Sequence, residues 1–245
     1  MLCETERSVG FDTAVNTVTE ALMKLSFTAA SHDRVMVVEV MGRDAGHLAL
    51  HSGIAGGADV ILLPEIPFSI ENVSKRLRRS KQLLGRLFAI IVVAEGAHTC
   101  VGQNRTYIDA AGVEHLRGIG EYVASELVKV SGELDSRVVV LGHVQRGGMP
   151  SALDRVLATA FGTAAVDALA RGESDVMVAW QNNRVVTVPL ADVVAAGAVG
   201  VQLDSPFVST AIASGIYLGE LPIPCAGVDA ATATATTTTS PAGSS

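Results

Sequence analysis

Three side chains that handle anions and hydroxyls fall within one short stretch, Arg137 to Met149, reading RVVVLGHVQRGGM. The imidazole of His143, the amide of Gln145 and the guanidinium of Arg146 lie between Gly142 and the pair Gly147 and Gly148. Glycines let a backbone turn sharply and approach a ligand closely. Those polar groups suit a polyhydroxylated or phosphorylated small molecule. Ahead of the loop, Val138 to Leu141 is long enough for one buried strand. Behind it, Ser151 precedes Asp154 by the spacing of a capped helix start. A strand, a polar glycine-rich loop and a capped helix make an active-site candidate of α/β type.

Other segments must hold that loop in place. Apolar, β-branched runs predict strands over 34–40, 60–63 and 88–94, with Glu39 the one charge inside the first. Helical spacing predicts helices from Asp12, which we expect to cap the first of them, and over 46–54, 70–84, 116–130 and 152–170. In the first helix Val15, Val18, Leu22 and Leu25 form the apolar side; in the fourth, Tyr122, Val123, Leu127 and Val130 do. Two further strands, 176–180 and 185–188, flank a Gln181-Asn182-Asn183 turn. Residues 97–114 show no periodicity and read as an irregular excursion. Beyond Gly219 the chain turns to Pro, Ala and Thr, a composition with almost nothing to bury. The expected division is therefore one α/β region over 1–218 and a disordered tail over 219–245.

Strands separated by helices predict a mainly parallel sheet flanked by helices in three layers, with ligands beyond the strands' carboxyl ends. Three of those ends carry unusual chemistry: Met41-Gly42-Arg43, Glu95, and His143 with Arg146. Two arginines at one crevice are costly unless they meet an anion, and phosphate accepts their paired hydrogen bonds. Taken singly, each residue has an ordinary structural reading; the shared location lifts them above it. His32, His47, His51, His98 and His115 are expected to be surface or packing residues.

Composition narrows the class. Across 245 residues, 49% are hydrophobic and 4% aromatic, so an Ala, Val, Leu and Ile interior suits a sheet covered by helices. The net charge of −7 argues against a nucleic-acid partner. The cationic run Lys75, Arg76, Arg78, Arg79 and Lys81 reads as a solvated helix face. Cys3, Cys100 and Cys225 are scattered and not in metal-ligand spacing, so no metal site is expected from them. With no signal peptide and no apolar run of membrane-spanning length, a cytoplasmic protein without a membrane partner is expected.

At three blocks the sequence resembles a known family. EVMGRDAGHLAL (39–50), AGGADVILLPE (55–65) and VLGHVQRGGMPSALDR (140–155) resemble the C-terminal half of 6-phosphofructokinase, and the similarity runs from about Gly10 to Pro189. The resemblance implies that Met41, Gly42 and Arg43 contact fructose 6-phosphate, with Arg43 also catalytic, stabilising the transferring phosphoryl group. It implies that Glu95 hydrogen-bonds the sugar, and that His143 and Arg146 hold the sugar and its 6-phosphate. Arg34 and Arg137 match arginines that reach the substrate phosphate in a neighbouring subunit, which implies a shared site in a homotetramer.

The resemblance also implies Mg2+ with ATP or pyrophosphate as donor. The family's glycine-rich phosphate loop, and the T-I-D-N-D segment with its catalytic aspartate, have no match here. Phosphoryl transfer rests on positioning, metal and base together. The chain is thus expected to be an N-terminally truncated, acceptor-sugar half, inactive alone; the alternative is a non-catalytic sugar-phosphate-binding or regulatory subunit. Of the basic residues in the bacterial effector site, Arg86 matches one, whereas Ser26 and Leu84 stand where others occur.

Overall fold

The structure, a computed structural model, describes residues 4–86, 88–100, 106–108, 114–116, 118–132 and 134–220. Its centre is set by two six-residue runs buried throughout, β1 (Val35–Val40) and β3 (Ala89–Ala94). Runs apolar on both faces suit the middle of a parallel sheet and nowhere else. β2 (Val60–Leu62) and β6 (Ser136–Val140) complete it in the order β2-β3-β1-β6, and every pairing is parallel.

Alternation along the strands divides the interior into two layers. Met36, Val38, Val40, Ile90, Val92 and Ala94 pack against Val18 and Leu22 of α1 (Phe11–Ser31) and Ala49 and Leu50 of α2 (His47–Ala55). Val35, Val37, Ile91 and Val93 meet Val73 and Leu77 of α3 (Ile70–Leu84) and Val123 and Leu127 of α4 (Ile119–Ser131). A three-layer α/β architecture follows, as the sequence predicts. Each fully buried leucine, such as Leu22 or Leu127, contributes about 2 kcal/mol of transfer free energy.

Several local expectations are corrected. Asp12 does not cap α1; Gly10 is the N-cap, in a left-handed conformation, and Asp12 lies in the first turn. The 97–114 stretch is not wholly irregular, because β4 (Thr106–Ile108) and β5 (Glu114–Leu116) pair antiparallel. Leu116 therefore belongs to a strand, and α4 begins after Gly118, whose positive φ turns the chain into the helix. Val130 is 39% exposed and lies off α4's buried side. The tail from residue 221 onward lies outside the described residues.

The segment after the sheet builds a second, smaller unit. α5 (Ala152–Ala170) is capped by Ser151, whose hydroxyl accepts from the Asp154 N–H at 3.2 Å. β7 (Val176–Gln181) and β8 (Arg184–Pro189) form a hairpin whose Asn182 and Asn183 both have positive φ, the tight-turn geometry that asparagine tolerates. α6 (Leu190–Ala196) packs on this hairpin, and Val193 joins Ala179 and Val188 in a small core. α7 (Pro206–Ala213) returns to α2, and Tyr217 bridges to Val60 beside the main sheet. Asp154 ties α5 to α1 from inside: it is 3% exposed and accepts from the Thr13 N–H at 2.8 Å and from the Thr13 hydroxyl.

Glu39 is the charge the sequence singled out inside β1, and its role is architectural. Its Oε2 accepts the Gly120 N–H at 2.8 Å, so the carboxylate sits against the first turn of α4, where helix N–H groups favour an anion. Burial, helped by the negative charges of Glu95 and Glu121, raises its pKa, with the Gly120 N–H opposing. A carboxyl with a raised native pKa binds more protons folded than unfolded. Its contribution to stability therefore falls as pH rises from the unfolded value of about 4 through the native pKa. Glu39→Gln, which keeps the acceptor without the charge, is expected to lose that fall. Denaturant titrations from pH 4 to 8 should show the variant gaining on the parent as pH rises; parallel curves would refute the assignment.

Candidate functional site

Because β3, β1 and β6 are neighbours, their carboxyl ends open side by side. Glu95 N–H donates to the Val40 carbonyl at 2.9 Å, and Leu141 N–H to that of Glu39 at 3.1 Å. These bonds carry the ladder one residue past each strand. They bring together Met41-Gly42-Arg43, Glu95 and the 3-10 turn Gly142–Arg146.

Two side chains lock the three segments. Gln145, 1% exposed, accepts the Met41 N–H at 3.1 Å through Oε1 and donates to the Gly142 carbonyl at 2.9 Å through Nε2. Glu95 Oε1 accepts the Gly42 N–H at 3.4 Å. Gly96 N–H donates to the Gly42 carbonyl at 3.1 Å, and a Cβ on Gly96 would run into the Arg43 carbonyl. The backbones of the Gly42 and Gly96 loops thus touch, which only glycine at 96 permits.

The chemical groups stand on this frame. Arg43, His143 and Arg146 are exposed, and none has a hydrogen bond or ion pair with a described residue. Glu95 is half-buried, with one oxygen committed to Gly42. Two free guanidiniums, one imidazole and one held carboxylate on a rigid sheet edge form a surface for an anion with hydroxyls. Behind the turn, a cavity of about 480 Å³ is lined by Arg146, Arg155 and Thr13, among others.

Arg34 and Arg137 lie elsewhere, at the amino ends of β1 and β6. Six residues of strand separate Arg34 from Met41, on the order of 20 Å. Both guanidiniums meet Asp135: Arg34 Nε lies 2.5 Å from Oδ2, and Arg137 pairs with Oδ1. The hydrogen bond from Arg34 holds the Asp135 carboxyl below its ordinary pKa. The structure therefore brings Arg34 and Arg137 to each other and keeps them apart from the other site residues within one chain.

Some residues that organise the site were not singled out as site residues. Asp135 orders the arginine pair; Gln145, whose amide the sequence offers to a ligand, is instead a buried brace with both ends of that amide committed to the loop backbone. Glu65 accepts the Gly46 N–H at 2.9 Å and the Val201 N–H at 2.6 Å, fixing the start of α2 just beyond Arg43. The only signal for Glu65 was its place after a strand. Arg86 pairs with the buried Asp59 at 3.4 Å and stacks on Phe88 with its guanidinium carbon 4.4 Å from the ring. His47 bonds the Val199 carbonyl at 2.9 Å, and His51 lies 4.5 Å from the Phe207 ring, both as packing residues.

Among the described residues, no group of three or more His, Cys, Asp or Glu is placed to hold a metal ion. These described residues thus offer no carboxylate or imidazole cluster that would hold the donor's Mg2+. No helix among the described residues is long and apolar enough to cross a membrane.

Comparison with known proteins identifies the family. Residues 2–169 match the family model described as Phosphofructokinase. The ATP-dependent 6-phosphofructokinase of Trichormus variabilis is 54% identical over 217 residues, covering 88% of this chain and 61% of that protein. That of Chloroflexus aggregans is 54% identical over 191 residues, 78% of this chain and 52% of that protein. Among solved structures, phosphofructokinase from Saccharomyces cerevisiae superposes with a TM-score of 0.67 at 35% identity, covering 79% of this chain and 24% of that one. The pyrophosphate-dependent phosphofructokinase from Marinobacter aquaeolei shares the fold, with a TM-score of 0.70 at 22% identity over 92% of this chain and 60% of its own. The chain spans 61% of the Trichormus protein's length.

Proposed function

Because the chain belongs to the phosphofructokinase family, we propose that it carries the acceptor-sugar site of a 6-phosphofructokinase. The reaction is the glycolytic transfer of a phosphoryl group to the 1-hydroxyl of fructose 6-phosphate. The observation that carries this reading is the meeting of Met41-Gly42-Arg43, Glu95 and the His143–Arg146 turn at three adjacent strand ends.

In this reading Arg146 binds the 6-phosphate and His143 a sugar oxygen. Glu95, with one oxygen held by Gly42, accepts from a sugar hydroxyl with the other. Met41 and Gly42 form the floor, and Arg43 faces the phosphoryl group as it transfers. Arg34 and Arg137, joined through Asp135, serve the phosphate in a neighbouring copy, which makes the protein a homo-oligomer, by family a tetramer. The domain unit is 1–218. The donor, ATP or pyrophosphate with Mg2+, is bound mainly by the family part that this chain does not span, and the reaction is cytoplasmic.

Two measurements test the reading. Calorimetry should show fructose 6-phosphate binding to the purified chain, with fructose binding far more weakly. A coupled assay with fructose 6-phosphate, Mg2+ and ATP or pyrophosphate should show no turnover by the chain alone. Absence of fructose 6-phosphate binding would remove the acceptor-site reading. Turnover would show that the base and donor groups are present after all.

A further inference from the structure

The arginine that faces the transferring phosphoryl group stands on a short bridge whose far end is held by a residue outside the site. Between Gly42 and Gly46 the chain carries only Arg43, Asp44 and Ala45 from the end of β1 to the start of α2. At the β1 end three hydrogen bonds fix the backbone. Gln145 accepts the Met41 N–H, Glu95 accepts the Gly42 N–H, and the Gly42 carbonyl accepts the Gly96 N–H. The bridge also folds on itself, with the Ala45 carbonyl oxygen 2.9 Å from where a Cβ on Gly42 would stand. The Arg43 side chain is exposed, so its placement follows from this backbone.

The α2 end has no cap of its own. Gly46 starts the helix with no side-chain cap and no acid in the first turn. Gly46 is buried, and a buried N–H needs an acceptor. Glu65, nineteen residues on and just past β2, supplies it. Its Oε1 accepts the Gly46 N–H at 2.9 Å, and its Oε2 lies 3.2 Å from the same nitrogen. A carboxylate thus stands at a helix amino end, where anions are favoured. The same Oε1 accepts the Val201 N–H at 2.6 Å, while His47 bonds the Val199 carbonyl at 2.9 Å. The fit is close on both sides. A Cβ on Gly46 would stand 2.9 Å from Glu65 Oε2, and one on Gly200 3.2 Å from Oε1. The end of β2, the start of α2 and the 199–201 segment therefore share one carboxylate, and none shifts alone.

We propose that Glu65 is a positioning residue for Arg43: by anchoring Gly46 it sets where the guanidinium meets the phosphoryl group on the sugar's 1-oxygen. The proposal rests on the acceptor-site reading, and Glu65 itself touches no ligand in it. A displacement of about 1 Å at a reacting centre costs on the order of a hundredfold in rate. The effect is selective between the two ends of the sugar. His143 and Arg146 stand on the turn after β6, braced by Gln145, so the grip on the 6-phosphate does not pass through Glu65.

Fructose 1,6-bisphosphate, the product of the proposed reaction, reads Arg43 without turnover, because its 1-phosphate occupies the place of the transferred group. Calorimetry on the purified chain compares it with fructose 6-phosphate. Glu65→Asp keeps the charge and withdraws it by one methylene. It is expected to weaken fructose 1,6-bisphosphate binding about fivefold or more, and fructose 6-phosphate binding less than about twofold. Glu65→Gln keeps an acceptor at Oε1 and should lose less than Glu65→Asp. In an Arg43→Ala background, Glu65→Asp should cause no further loss, since it acts through Arg43.

Unchanged fructose 1,6-bisphosphate affinity in Glu65→Asp overturns the proposal. An equal loss for both sugars does so too, as the mark of a merely structural role, and so does a full effect in the Arg43→Ala background. If Glu65→Asp does not fold, Gly200→Ala, whose methyl presses on the same Oε1, is read by the same criteria. A parent chain that binds neither sugar removes the acceptor-site reading and the proposal with it. Loss of fructose 1,6-bisphosphate in Arg43→Ala but not in Glu65→Asp keeps that reading and removes the positioning role alone.

Discussion

Gly96→Ala is expected to lower the unfolding free energy by about 3 kcal/mol, at the upper end of what overpacking costs. Most close contacts of a new methyl are relieved by a side chain moving aside. Here the obstacles are backbone atoms: the carbonyl of Arg43 and, at 2.9 Å, that of Gly42. Neither segment is free to retreat. Gly96 N–H is bonded to the Gly42 carbonyl at 3.1 Å, and Glu95 N–H to the Val40 carbonyl at 2.9 Å. Relief requires breaking the contact between the ends of β1 and β3, so the variant should also lose fructose 6-phosphate binding. Gly162→Ala in α5 is the control, since it meets open space in a helix interior, and should stabilise by about 0.5–1 kcal/mol. Urea unfolding monitored by circular dichroism measures both. A Gly96→Ala variant within 1 kcal/mol of the parent would mean that the two loops are not in contact.

Arg146→Ala should weaken fructose 6-phosphate binding by about 2 kcal/mol or more, roughly thirtyfold, as truncating one partner of a buried charge pair does. The Arg146 side chain has no hydrogen bond or ion pair with a described residue. Its removal thus costs the free protein little, and the unfolding midpoint should stay put. That separation makes the experiment clean: affinity changes while stability does not. Arg146→Lys should recover only part of the loss, because an ammonium lacks the planar pair of donors that matches a phosphate. Calorimetry showing unchanged affinity would remove Arg146 from the site. Arg137, by contrast, is paired with Asp135, and its truncation perturbs the chain as well as any ligand.

Much of this was legible in the sequence, for definite physical reasons. β3 is a continuous apolar run and β1 is one broken only by Glu39, the pattern of strands buried on both faces of a parallel sheet. α5 has a serine cap at its start, and its ends coincide with those expected. The residues at strand ends, Met41 to Arg43, Glu95, and His143 with Arg146, were readable because parallel topology sends those ends to one edge. β4 and β5 were not readable: strands of three residues are too short for any period to show. Gly10 displaced Asp12 as the cap of α1 because a left-handed glycine starts the helix one residue before the acid. The bracing role of Gln145, whose amide the sequence offers to a ligand, and the roles of Glu65 and Asp135 escaped for a common reason. Each acts on groups delivered by distant segments, and no local pattern announces a partner 104 residues away, as between Met41 and Gln145.

The Asp154 clasp has a consequence for how the molecule assembles. All four strands of the main sheet come from residues 35–140, so their pairing needs nothing from α5. Asp154 and Thr13, however, are 141 residues apart. Joining them closes one of the long loops in the chain. Closure entropy grows with span, and long-range contacts form slowly. The clasp is therefore expected to form late in folding, after the sheet. The carboxylate that makes it is buried, which alone would raise its pKa, yet the Thr13 hydroxyl and N–H hold it below the ordinary value. Such a group stabilises the native state above the unfolded carboxyl pKa, and that stabilisation is lost as pH falls through its native one. Protonating Asp154 thus loosens the tie between α1 and α5, while the parallel ladder of the sheet keeps its own hydrogen bonds.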